Sequence, residues 1–88
     1  LRAAGDVGAA VDFLRRAQRR HPGGFAINSM LALCLSQLKP PPWDEVIAFR
    51  RAALAARPQS AWAHYTLGLA LHSKDRLDEA AAEYHEAI

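Results

Sequence analysis

Proline and glycine cut this chain into stretches of about a dozen residues, and that spacing constrains the fold more than any other feature. The cuts fall at Gly5-Asp6, His21-Pro22-Gly23-Gly24, Lys39-Pro40-Pro41-Pro42, Arg57-Pro58 and Ser73-Lys74-Asp75. Between them alanine is abundant, β-branched residues are sparse, and no stretch alternates apolar with polar as a half-buried strand would. The spacing predicts helices over residues 7–20, 25–38, 43–56, 61–73 and 77–88. Connections this short fold each helix back on the one before it, so the helices pair into hairpins. An all-α chain is expected.

The hairpins also repeat. Asp44-Glu45-Val46-Ile47-Ala48-Phe49 and Asp78-Glu79-Ala80-Ala81-Ala82-Glu83 open equivalent helices 34 residues apart, and Ala53 and Ala87 keep that offset. Ala17 and Pro22 stand 36 residues before Ala53 and Pro58. The two extra residues fit the Pro40–Pro42 turn, where an insertion disturbs no packed face. A period near 34 with two helices per unit is the mark of one class of helical repeat.

On these residues the chain resembles the tetratricopeptide repeat. In the last unit Leu67, Gly68 and Leu71 fall on the family's Leu, Gly and Tyr positions of the first helix. Ala80, Tyr84 and Ala87 supply its small–aromatic–small pattern in the second. His64 replaces the usual first aromatic, with Trp62 and Tyr65 on either side. The middle unit matches at Leu31, Ala32, Leu35, Val46 and Ala53, but carries Arg50 where an aromatic is expected, a role passed to the adjacent Phe49. The first unit matches through Gly5-Asp6, Ala10, Leu14, Ala17 and Pro22. The resemblance spans essentially the whole chain and implies a right-handed superhelical solenoid of antiparallel helix hairpins. Residues 1–88 then form a single domain: 1–24 the second half of a truncated repeat, 25–60 a repeat with a two-residue turn insertion, and 61–88 a repeat lacking its last residues. Leu1 would fall late in a first helix. Val7, Ala10, Leu14 and Ala17 would lack a covering helix, and Ala81, Tyr84 and Ile88 would lie open at the other end. A segment of a longer array with self-associating ends is the expectation.

Packing explains the residue types. Gly68, Ala32, Ala80 and Ala87 are small where paired helices cross closely, and Leu14, Leu31, Leu67 and Tyr84 fill the space between. Each of those large side chains contributes about 1.5–3 kcal/mol when fully buried. Apolar residues make up 51% of the chain, enough for a core, and a formal charge of +2 from 11 Lys and Arg against 9 Asp and Glu gives no polyelectrolyte signal. Cys34, the single cysteine, sits in an apolar stretch where a buried thiol is expected. No run reaches the ~18 apolar residues of a membrane span. A cytoplasmic protein is expected, and the excess of Arg over Lys with abundant Ala points to a GC-rich bacterial source.

A helix needs only one apolar stripe to hold a core. Residues 25–38 meet that need with Ile27, Leu31, Cys34, Leu35 and Leu38, yet also carry Met30 and Leu33. Residues 61–73 meet it with Ala63, Leu67, Ala70 and Leu71, and add Trp62, Tyr65 and Leu69. The surplus recurs at helical spacing, as Ser29–Leu33–Gln37 and Trp62–Tyr65–Leu69–His72. By resemblance these seven are groove-facing positions on the concave side of the array. The expected function is a non-catalytic scaffold that holds a protein or peptide segment through apolar anchors, Leu33, Trp62, Tyr65 and Leu69, with Ser29, Gln37 and His72 giving hydrogen bonds. The family's chaperone-tail clamp of Lys, Asn and Arg is missing: its places hold Ser29, Leu33, Met30, Trp62 and Thr66.

Other signals point elsewhere and are weaker. His64 and His72 stand about 12 Å apart along one helix, too far to share an ion unaided. No nucleophile elbow or phosphate loop occurs, so no catalytic residue, metal or cofactor is expected. Arg15, Arg16, Arg19 and Arg20, with Arg50, Arg51 and Arg57, could meet phosphates, but a solvated convex helix face is the cheaper reading and nucleic acid ranks third. A structural module that stacks on neighbouring repeats or an adjoining domain ranks second. Lys39-Pro40-Pro41-Pro42-Trp43 reads as a stiff turn, with Pro42 opening the next helix.

Overall fold

The computed structural model describes residues 4–88, with side chains from Asp6 onward. They form five helices, α1 (Ala4–Arg20), α2 (Phe25–Ser36), α3 (Trp43–Ala56), α4 (Ala61–Ser73) and α5 (Leu77–Ala87). The breaks at Pro22, Pro40–Pro42, Pro58 and Ser73–Asp75 are where the residue types require them. The break at Gly5-Asp6 is not: α1 runs through both positions. A lone glycine near a helix end costs only about 1 kcal/mol relative to alanine, and Asp6 in the first turn favours the positive end of the helix dipole. The reading of Leu1 as the end of an earlier helix lies outside the described residues.

Each boundary has a local cause. Ser60 caps α4, its hydroxyl accepting the Ala63 N–H at 3.1 Å. Pro42, which leads into the helix predicted from residue 43, is the cap residue of α3, and its carbonyl accepts the Val46 N–H. The α4–α5 turn closes as a Schellman motif: Arg76 N–H donates to Leu71 O and Asp75 N–H to His72 O, both at 2.9 Å. Asp75 holds the left-handed conformation there (φ 65°), a place that favours glycine.

Each helix packs against the helix before it and the helix after it, and the described residues show no closer backbone approach between helices further apart in sequence. One apolar core runs through these contacts, from Val11 and Leu14 through Leu31, Leu35, Val46 and Ile47 to Leu67, Leu71 and Ala80. Asp44, which opens α3, meets Lys74 beyond the end of α4, so those two helices run in opposite directions. Phe25 and Trp62, at the starts of α2 and α4, meet edge to face at 6.5 Å, so those two run the same way. On the other side of the layer, Arg15 of α1 grips Glu45 of α3 through two bonds of 2.8 and 3.2 Å, and Arg51 of α3 reaches Glu79 of α5 at 3.3 Å. These are one ion pair repeated at the offsets of 36 and 34 residues found in the sequence. Both are largely exposed and add about 0–1 kcal/mol each; their value here is as a register mark. No helix of the described residues is long and apolar enough to cross a membrane.

A second repeated device ties each hairpin to the turn before it. Asn28, fully buried, donates from Nδ2 to the carbonyls of Pro22 and Gly24 at 2.9 and 2.8 Å. His64, 36 residues on, lies 2.8 Å through Nε2 from Pro58 O and 2.8 Å through Nδ1 from Glu83. Both ring nitrogens face acceptors, so the cation satisfies both and the neutral ring only one. The Glu83 carboxylate raises the His64 pKa above its ordinary value; burial opposes it, and the Pro58 carbonyl adds a smaller upward effect.

Candidate functional site

Helices α2 and α4 lie side by side in the same direction without backbone contact. The space between them is a cleft of about 210 Å³, with α3 as its floor. Leu33 and Ser36 form one wall, Thr66, Leu69 and Ser73 the other, and Trp43, Val46 and Arg50 rise from below. Leu33, Leu69 and Trp62 are half-exposed, while Leu67, two residues from Leu69, is sealed in the core. Folding therefore leaves three of the surplus apolar residues, Leu33, Trp62 and Leu69, exposed on the α2–α4 side. At the upstream end Trp62 extends that face toward Phe25.

Arg50 is the residue that sequence reasoning misplaced. Counted among arginines on an exposed outer wall, it is instead 6% exposed. Its side chain passes inward from α3, donates to the Ser29 carbonyl at 3.4 Å, and lies 5.3 Å from the Trp62 ring centroid. The physical reason is position: Arg50 is the counterpart of Tyr84 at the 34-residue offset, and both stand on the face of their helix that meets the partner helix. Phe49 does not replace it, but packs on the core from beside it. Burial pulls the Arg50 pKa below its ordinary value, and among the described residues no carboxylate pairs with it. Directly above, the Ser29 hydroxyl is buried without a hydrogen-bond partner.

The seven predicted groove residues separate into groups. Leu33, Trp62 and Leu69 share the α2–α4 face. Ser29 is buried beneath it, so its hydroxyl is not at the surface. Tyr65 and His72 turn toward α5: the Tyr65 ring lies 6.0 Å from that of Tyr84, tilted by 41°, and the Tyr84 hydroxyl lies 3.5 Å from His72 Nδ1. Gln37 faces the other way, into a cleft between α1 and α2. The α2–α4 cleft also takes in Arg50, Trp43 and Thr66, which were not among the predicted groove residues. The signal for Arg50 was present, because the repeat offset places it opposite the small residues of α2.

That α1–α2 cleft is the larger of the two, about 600 Å³, and is lined by Val7, Ala10, Phe13, Leu14, Met30, Cys34 and Gln37. Phe13 and Met30 are more than half exposed there, and Cys34 is half-buried at its edge, not sealed in the core as predicted. Among the described residues the lining of this cleft is almost wholly apolar and carries no charged group, whereas the smaller α2–α4 cleft combines apolar walls with a cation. Arg15 and Arg51 are engaged in ion pairs, and the Arg57 guanidinium lies 4.3 Å from the Phe25 ring centroid. Among the described residues no group of His, Cys, Asp and Glu is placed to hold a metal ion. Compared with models of known protein families and with curated proteins, the chain finds no match.

Proposed function

We propose that this chain is a tetratricopeptide-repeat-like array, a superhelical run of helix hairpins, whose α2–α4 face is a concave groove that binds a peptide segment of another protein. The observation that carries the reading is the α2–α4 face itself: Leu33, Trp62 and Leu69 stay exposed along one line although each helix already has a full core stripe. An aromatic and two aliphatic anchors beside a cleft floored by a guanidinium give both area and a polar group for orientation. Serial packing of helices, the repeated Arg15–Glu45 and Arg51–Glu79 pairs, and the repeated ties to Pro22 and Pro58 all support the array. A binding role without chemistry fits a face that offers anchors and no paired acid and base.

The test is the double substitution Trp62→Ala with Leu69→Ala. Both side chains are half-exposed, so helix content by circular dichroism and the melting temperature should change little. Capture of short amidated peptides bearing Leu or Phe on both sides of a variable centre should fall at least tenfold, about 1.4 kcal/mol. Unchanged capture would remove the groove.

A second reading has its own observation. Phe13 and Met30 expose an apolar wall at the α1–α2 cleft that suits stacking on another helix. If that face drives self-association, Phe13→Ser should abolish a concentration-dependent dimer in sedimentation and leave peptide capture intact.

A further inference from the structure

We infer that the α2–α4 groove selects segments with an internal acidic side chain, whose carboxylate enters the cleft between Leu33 and Leu69 and pairs with Arg50. The inference rests on the groove reading above and names the chemistry of its ligand. A guanidinium drawn out of water is costly unless an anion compensates it. Arg50 has only one long bond to the Ser29 carbonyl and the face of Trp62 to offset that cost. Among the described residues its remaining nitrogens have no hydrogen-bond partner and are not among the sealed-off atoms, and Arg50 lines the cleft. A carboxylate there would accept two parallel N–H bonds, the geometry guanidinium favours.

Position argues for a side chain and against a chain end. Arg50 lies between two apolar regions of the face, with Phe25 and Trp62 upstream and Leu33 and Leu69 downstream. A terminal carboxylate on Arg50 would leave one of these regions uncovered. An acidic residue flanked on both sides by apolar ones covers both.

The experiment uses the 88-residue chain and amidated peptide pools that carry Leu or Phe on both sides of a central Glu, Gln or Lys. Wild-type protein should bind the Glu pool about ten- to a hundredfold more tightly than the Gln pool, and the Lys pool least. Arg50→Met, which keeps the length of the side chain without its charge, should bring Glu and Gln together, while Arg50→Lys should keep part of the difference. Equal binding of Glu and Gln by the wild-type protein would overturn the carboxylate inference and leave the groove standing. Failure of every pool would overturn both. A free C-terminal carboxylate that replaces the central Glu without loss would overturn the internal placement. A dimer in sedimentation that the peptides dissolve would assign the groove to a second copy and overturn the separate partner.

Discussion

The α2–α3 and α4–α5 hairpins are built to one plan and solve its tightest point differently. In α4–α5 the large side chain is Tyr84, which takes Tyr65 and His72 as neighbours. The helix opposite must then be bare: a Cβ on Gly68 would stand 2.6 Å from the Tyr84 ring. In α2–α3 the counterparts of Tyr65, Gly68 and His72 are Ser29, Ala32 and Ser36, and the counterpart of Tyr84 is Arg50. A slender side chain tolerates alanine opposite, but it carries a charge into the interior and leaves the Ser29 hydroxyl without a partner. The aromatic hairpin is self-sufficient. The arginine hairpin is polar at its centre and opens on the α2–α4 cleft.

Substitutions can break this comparison at its strongest point first. Asn28 is fully buried and ties two carbonyls, whereas His64 performs the same task near the surface. Asn28→Ala should therefore cost about 2–3 kcal/mol in denaturant unfolding, because buried acceptors lose their donors. His64→Ala should cost less, about 1 kcal/mol. Equal losses would mean that burial does not set the difference between the two ties.

Exchange of the central residues sharpens the contrast. Arg50→Tyr puts the ring of the second hairpin opposite Ala32 and should destabilise by about 1–3 kcal/mol through overpacking. Adding Ala32→Gly should restore part of that loss, whereas Ala32→Gly alone should only destabilise. In the other direction, Gly68→Ala should be destabilising in the presence of Tyr84 and less so with Tyr84→Leu. Additive effects in either pair, measured as a double-mutant cycle, would break the equivalence of the two sites.

The ties differ in their response to pH as well. His64 has its folded pKa raised by Glu83 and Pro58 O above the ordinary 6.5. Its contribution is complete below that unfolded value, where both states are protonated, and is lost as pH rises through the folded value. The melting temperature should fall over that window, and His64→Gln should flatten the fall. Asn28 cannot titrate, so the α2–α3 tie gives no such slope.

The smallest effect concerns the turns. Asp75→Gly, at a left-handed position, should stabilise by about 0.5–1 kcal/mol in the α4–α5 turn. No residue of the Lys39–Pro42 turn has positive φ, so glycine there should bring no gain.

The helices were legible from the sequence because proline and glycine act locally: α3 and α4 begin and end where their breakers imply. At Gly5 the breaker was too weak to stop a helix with Asp6 in its first turn. The exposure of Leu33, Trp62 and Leu69 was legible because apolar residues beyond the core stripe need no knowledge of neighbours. Arg50 was misplaced because arginine as a residue type favours an exposed face, although its offset from Tyr84 puts it on the side of α3 that meets α2. Hidden too were the roles of Tyr65 and His72, whose spacing matches a groove but whose rings meet Tyr84 on the next helix. Asn28 was missed because a polar residue in an apolar helix looks like a surface position until its two carbonyl acceptors are seen.

The central claim is that the face between α2 and α4 receives the peptide, and amide chemical-shift mapping tests it most directly. On titration with the central-Glu pool, the largest changes should fall on Leu33, Trp62, Leu69 and the Arg50 side chain, with Arg15, Glu45 and Phe13 silent. Changes concentrated on the α1–α3–α5 side, or in the Phe13–Met30 cleft, would contradict it.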